Sequence, residues 1–219
     1  KIIYLKIMSQ QNNQYINKIE EFFLNDLKKI KEPKIIEFGV RFGFSTKKII
    51  EICEKNNGFL HAIDIDDCSD VSDSKFWKFY KSRDDNFEYL DKFLPKDVDL
   101  IYLDSLHEAD HIEKIFYHYY PSLKVGGLFI FDDISWLPYL KNKKRNNFNC
   151  EINNEEIFNK ILQIKSENEN HFDLYFSFKG SGSAKIVKTS EDTLRRSMAI
   201  KSRKYSFKNT VRKIFNLFK

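Results

Sequence analysis

The chain has 219 residues, 42% hydrophobic and 16% aromatic, enough apolar side chain to close one sizeable core but not two independent domains. Its three cysteines, Cys53, Cys68 and Cys150, are widely separated and odd in number, which argues against a disulfide framework or a structural zinc knot and fits a reducing compartment. The formal charge of +5 is not a property of the core: Leu194 to Lys219 holds nine basic residues and no acidic one, and the preceding 193 residues hold 28 basic against 32 acidic.

Residues 12 to 30 place Tyr15, Ile19, Phe22, Phe23, Leu27 and Ile30 near helical spacing, predicting an amphipathic helix that ends before Pro33 and covers one flank of a sheet. Lys34 to Phe38 is expected to form the first strand. Ser45 to Lys55 follows as a helix with Ile49, Ile50 and Cys53 inward, stopped by Asn56-Asn57-Gly58. Phe59 to Ile65 reads as the second strand, Phe76 to Lys81 as the third and Phe87 to Phe93 as a short helix before Pro95. Val98 to Leu103, almost wholly apolar, has the character of a parallel strand covered on both faces. Asp110 to Tyr120 is helical, Pro121 to Gly127 turns the chain, and Leu128 to Phe131 is a fifth strand.

Beyond Asp133 the pattern changes. Ile134 to Cys150 reads as irregular, Glu155 to Lys165 as a helix, and Phe172 to Phe178 with Ala184 to Val187 as a hairpin pair, one member of which must run antiparallel to the rest. The succession predicts an α/β fold: a Rossmann-like, doubly wound, mostly parallel seven-stranded sheet with helices on both faces and an antiparallel C-terminal strand. Three regions are expected: an N-terminal helical flank over 1–32, a catalytic domain over 33–190 and a basic amphipathic tail over 191–219. The start, Lys1 to Lys6, carries no apolar run of signal-peptide length, and no stretch reaches the roughly 18 apolar residues of a membrane span. A cytoplasmic location, soluble or peripheral to a membrane, is therefore expected.

Two strand ends carry the cofactor expectation. Glu37-Phe38-Gly39-Val40-Arg41-Phe42-Gly43 leaves the first strand, with Ser45-Thr46 opening the next helix; a glycine at Gly39 lets the backbone approach a ligand, and the helix start faces its polar groups. The dinucleotide pattern G-x-G-x-x-G is missing because Val40-Arg41 occupies the place of its second glycine, and no G-K-[ST] phosphate loop is present. Asp64, at the end of the second strand, is positioned to accept hydrogen bonds from a ribose diol, whereas Asp66 and Asp67 fit a solvated loop. Among Ser82-Arg83-Asp84-Asp85, Arg83 or Asp85 suits a surface ion pair.

The reacting edge is expected beyond the fourth and fifth strands. Asp104-Ser105-Leu106-His107 follows the fourth, and Asp132 with Asp133 follows the fifth. If these strands are neighbours, three carboxylates and an imidazole meet, a costly crowding unless a cation or proton offsets it. Oxygen-rich clusters favour magnesium, calcium or manganese, so Asp104, Asp132 and Asp133 are the candidate metal ligands; the competing structural reading has Asp104 or Asp132 capping a turn. His107 is the preferred general base because imidazole titrates near neutral pH, its rival role being to bind substrate or fix an aspartate. His111 is either its partner or a solvent-facing helix residue, and His61 is structural.

On the glycine turn and Asp64 the chain resembles the class I S-adenosylmethionine-dependent methyltransferases. The resemblance implies that Glu37 shapes the turn, that Gly39, Arg41, Gly43 and Ser45 surround the methionine portion, that Asp64 holds the ribose, and that Asp84 and Asp104 complete the cofactor site. Asp104-Ser105-Leu106-His107, with Gly126-Gly127 and Asp132-Asp133, resembles the group that methylates sugar or other small-molecule hydroxyls, with Ser105 in place of the usual glycine. That likeness implies an O-methyltransferase assisted by Mg2+ or another divalent cation, with Asp104 and His107 catalytic and a saccharide or small-molecule acceptor, in surface glycan synthesis. Trp136, Pro138, Tyr139 and Phe148 are candidates for a lid or acceptor wall.

The end, Val211 to Phe218, suits a short amphipathic helix on an anionic membrane surface; nucleic acid is the weaker rival, because no nucleic-acid motif accompanies the charge. A homo-oligomer is compatible with this reading. The competing functions are a nicotinamide-dependent oxidoreductase, against which the glycine spacing argues, and a catalytically inactive adaptor at a membrane or nucleic acid.

Overall fold

The computed structural model describes residues 13–138 and 148–196, together with residues 207, 208, 211 and 214. Lys34–Phe38 (β1) is buried from its second residue onward, as expected of a central strand covered on both faces. Phe59–Asp64 (β2) and Trp77–Lys81 (β3) flank it on one side. Val98–Leu103 (β4), buried at every position, and Leu123–Asp132 (β5) lie on the other. These five run parallel. Phe172–Ser177 (β6) and Ser183–Lys188 (β7) complete the seven-stranded sheet in the order β3-β2-β1-β4-β5-β7-β6, with β7 antiparallel to both of its neighbours. The predicted sheet is thus observed, its antiparallel member being β7.

Residues 13–27 (α1) are helical, with a π-helical turn over Glu20–Leu24. Phe44–Asn56 (α2) joins α1 on one face of the sheet: Ile19, Phe23, Leu24 and Leu27 meet Ile49, Ile52 and Cys53 over Ile35, Leu60, Leu100, Tyr102, Leu128 and Ile130. Phe87–Leu90 (α3), Ala109–Tyr119 (α4) and Phe148–Glu167 (α5) cover the other face. There Phe116 sits among the rings of Tyr120, Phe129, Phe131 and Phe172.

Several boundaries differ from expectation, three of them as follows. The segment read as a turn through Gly127 belongs to β5, because Leu123 still pairs with Val98; the register then shifts before Leu128 pairs with Leu100, and Gly126, at φ 83°, absorbs the irregularity. α5 begins at Phe148, inside the stretch expected to be irregular as far as Cys150. α3 closes at Leu90, earlier than Phe93. Residues 139–147 of the expected lid, and all of the tail beyond 196 except Phe207, Lys208, Val211 and Ile214, which are helical, lie outside the described residues. Among the described residues no helix is long and apolar enough to cross a membrane.

Candidate active site

The strand order reverses between β1 and β4, and open α/β sheets bind ligands beyond the carboxyl ends at such a point. Both tips are tied together: the Asp104 amide donates to the Phe38 carbonyl at 2.8 Å and the Gly39 amide to the Ile63 carbonyl at 2.9 Å. Gly39 lies at φ 97°, and a Cβ there would fall on the Asp104 carbonyl oxygen, so only glycine lets the two chains pass. Arg41 also has a positive φ, 50°. Asp64 holds this strained turn from the side, its Oδ2 accepting the amides of Val40 at 2.7 Å and Arg41 at 3.0 Å.

Behind the turn Glu37 is fully buried and accepts a 2.5 Å hydrogen bond from the Ser45 hydroxyl. Burial pushes its carboxyl up to about 8, with the Ser45 hydrogen bond opposing and the Asp104 and Asp64 charges adding to the rise. Its Oε2 has no partner, the arrangement of a carboxyl that keeps its proton.

A cleft of about 820 Å³ opens over the turn, a size suited to a cofactor or small ligand. Gly39, Arg41, Ser45, Asp64, Asp84 and Asp104 line it. Glu37 and Gly43, also expected at the cofactor, lie outside that lining: Glu37 braces Ser45, and Gly43, at φ 71°, opens α2 where a Cβ would strike Val71. Asp84 is fixed by two donors at one oxygen, the Ser105 hydroxyl at 2.5 Å and His111 Nε2 at 2.8 Å. His111 is therefore a buried partner of Asp84; it is neither solvent-facing nor attached to His107. Arg83 and Asp85 make the expected exposed ion pair at 2.8 Å, and Lys114 joins Asp85 at 3.0 Å.

The acid cluster forms where β4 and β5 end side by side. His107 lies between two carboxylates, Nε2 3.3 Å from Asp104 Oδ1 and Nδ1 3.6 Å from Asp133 Oδ2. Burial works to lower the imidazole's proton affinity, and Asp104 and Asp133 more than offset this, so the net shift is upward. Burial and then the Asp132 charge raise Asp104, with His107 opposing. Asp133 takes φ 55°, a left-handed conformation that aspartate tolerates better than most residues. Ligand atoms of Asp104, His107 and Asp133 all lie within 4.8 Å of one another.

Asp132, expected as a metal ligand beside Asp104 and Asp133, is differently engaged. It is buried, and its Oδ1 accepts from the Lys18 ammonium and, at 2.8 Å, from the Ser183 hydroxyl. Tyr102 donates to its Oδ2 at 3.0 Å. The tight set is thus Asp104, His107 and Asp133, with Asp132 held behind it by a protein cation. Sequence reasoning missed Lys18 and Tyr15, which α1 presents three residues apart. The Tyr15 hydroxyl lies 2.8 Å from that of Tyr102 and 3.2 Å from Asp104 Oδ2. Burial, then the Asp104 and Asp132 charges, hold both phenols well above their ordinary range, so both remain donors. The available signal was Lys18 itself, a charged residue at i+3 from Tyr15 and i−4 from Phe22, inside the stripe that helical spacing buries.

This geometry of a glycine turn, an acidic second-strand end and acids beyond β4 and β5 is that of a class I methyltransferase domain, and comparison with known proteins agrees. Residues 36–134 match the family model described as a methyltransferase domain. A comparison with curated protein sequences gives no match. Among solved structures, the MycE methyltransferase of the mycinamycin biosynthetic pathway, in complex with Mg, SAH and mycinamycin VI, is 17% identical with a TM-score of 0.58, covering 84% of this chain and 51% of that one. CalS11, a TDP-rhamnose 3′-O-methyltransferase of calicheamicin biosynthesis, is 16% identical with a TM-score of 0.53, covering 78% and 77%. The SAH-bound Podospora anserina methyltransferase PaMTH1 is 13% identical with a TM-score of 0.56, covering 76% of each chain. The present chain therefore spans about half the length of MycE. The likeness to these structures shows the fold, and the family match leaves the nicotinamide-dependent alternative without support.

Proposed function

We propose that this protein is an S-adenosylmethionine-dependent O-methyltransferase that acts on a hydroxyl of a saccharide or other small molecule with the help of a divalent cation. One observation carries the reading. His107 stands between Asp104 and Asp133 in the same cleft as the Gly39 turn, which puts a base and a cation-attracting pair beside a cofactor-sized space. MycE, in complex with Mg and SAH, and CalS11, a TDP-rhamnose 3′-O-methyltransferase, support the cofactor and acceptor classes.

The donor set fits a hard cation. Magnesium is commonly held by one or two carboxylates and keeps several waters, and Asp104 with Asp133 offers such a pair. When bound, S-adenosylmethionine supplies an electrophilic methyl group and the ion supplies positive charge beside the acceptor oxygen. The protein's part is placement and proton removal. Gly39 and Ser45 shape the floor, and Asp64 and Asp84 present fixed carboxylates along the cleft wall. His107, flanked by Asp104 and Asp133, is the base that takes the proton of the attacking hydroxyl, and Asp133 beside Nδ1 stabilises the imidazolium that results. Orientation supplies much of the remaining acceleration.

Calorimetric titration with S-adenosylhomocysteine is expected to show saturable one-site binding; a flat titration removes the cofactor reading. Methyl transfer is then screened with sugar nucleotides and reducing-end saccharides in the presence of Mg2+. Association of the basic tail with an anionic membrane belongs to the same proposal, and sedimentation with anionic vesicles tests it.

A further inference from the structure

Lys18 is 2% exposed, yet it brings an ammonium to the buried Asp132 carboxylate. Its Nζ meets Asp132 Oδ1 and lies 2.9 Å from the Ser181 hydroxyl. The same carboxylate is braced by Ser183 and Tyr102, so Asp132 does not need Lys18 for all of its hydrogen bonds. What Lys18 alone supplies is positive charge. A buried lysine is expensive to desolvate and is tolerated where a carboxylate compensates it; here the carboxylate is the one next in sequence to Asp133, at the edge of the tight Asp104, His107 and Asp133 set.

We propose that Lys18 is a tethered cation that competes with the divalent ion: in the ion-free protein it neutralises Asp132 and keeps that carboxylate out of the coordination shell, and ion binding releases Asp132 as the Lys18 ammonium moves off it while keeping its hydrogen bond to Ser181. This rests on the divalent-cation reading above. Two positive charges next to one carboxylate repel, so the resident ammonium lowers affinity for a second cation, and removing it must raise that affinity. A lysine serving only to brace α1 predicts the opposite, since its loss would loosen the site. The arrangement makes α1 part of the cation site, because the helix that brings Lys18 also brings Tyr15 to Asp104.

The test is Mn2+ binding to the full chain, followed by the EPR signal of free Mn2+, for wild type, Lys18→Met, Lys18→Gln and the double variant Asp104→Asn/Asp133→Asn. The expected result is Mn2+ affinity about tenfold or more tighter in Lys18→Met and Lys18→Gln than in wild type, with binding lost in the double variant. Equal or weaker affinity in both folded Lys18 variants, while wild type binds and the double variant does not, overturns the competition and leaves the ion reading intact. Failure of wild type and both Lys18 variants to bind Mn2+ overturns both. A measurement on wild type alone covers the case in which the variants misfold. With 15N-labelled lysine, the Lys18 ammonium resonance is expected to shift saturably as Mg2+ is added, and a resonance unmoved while Mn2+ binds is evidence enough to reject the proposal.

Discussion

Glu37 offers the cleanest link between a single buried group and a measurable pH dependence. In the folded protein its carboxyl titrates near 8 against an ordinary 4.5, chiefly because burial strips its water. The unfolded chain thus releases this proton first, and between those two values the folded state binds more protons than the unfolded one. Stability must fall as pH rises through that window. At about 1.4 kcal/mol per pH unit the full difference is roughly 5 kcal/mol, and relaxation around a buried charge reduces it to about 2–5 kcal/mol. Glu37→Gln keeps the shape and a hydrogen-bonding oxygen for Ser45 but cannot ionise. Urea denaturation at about pH 5 and about pH 8.5 should show wild type losing about 2–4 kcal/mol more than Glu37→Gln over that interval. Taking the difference between the two proteins removes the contributions of titrating groups that do not interact with Glu37. Parallel pH profiles for the two proteins would refute the idea that Glu37 is held neutral.

Gly39→Ala should destabilise the fold by about 2–4 kcal/mol in denaturant titrations, since alanine is strained at φ 97° and its methyl meets the Asp104 carbonyl; S-adenosylhomocysteine affinity should fall by about tenfold or more, and an unchanged binding isotherm would show that the turn is not the cofactor floor. His107→Ala should lower methyl transfer by about 10²–10⁴-fold with cofactor affinity nearly unchanged, a combination that single-turnover assays and calorimetry separate. Phe116→Ala removes the ring that meets Phe129, Phe131 and Phe172 and should cost about 3–5 kcal/mol in urea unfolding; a loss below 1 kcal/mol would mean that the face under α4 is loosely packed.

The parts of the fold that sequence alone revealed are those set by local pattern. β1 and β4 are apolar runs closed by Gly39 and Asp104, and α2 and α4 show their buried faces by spacing alone. The start of β5 was hidden because Gly126-Gly127 has turn composition, while its pairing with Val98 is a property of the neighbouring strand. Lys18 was hidden for a related reason. Charged residues on amphipathic helices ordinarily face water, and the carboxylate that lets this one be buried lies 114 residues away. His111 was similarly ambiguous until Asp84, on the loop after β3, came within 2.8 Å.

The division of labour between Asp132 and Asp133 follows from strand parity. Side chains alternate between the two faces of a strand, and Leu100 and Tyr102 on β4 share the α1 face with Leu128 and Ile130 on β5. Continuing each series by two residues leads to Asp104 and Asp132, so the two carboxylates inherit the face that α1 covers. A helix laid over that face cannot be apolar to its end; it must bring hydroxyl and ammonium groups where the strands finish, and Tyr15 and Lys18 are those groups. Asp133 escapes the parity because the strand has ended and its backbone turns left-handed, which returns its carboxylate to His107 in the cleft. Adjacent acids thus meet different partners, one a lysine of the covering helix and the other the proposed base.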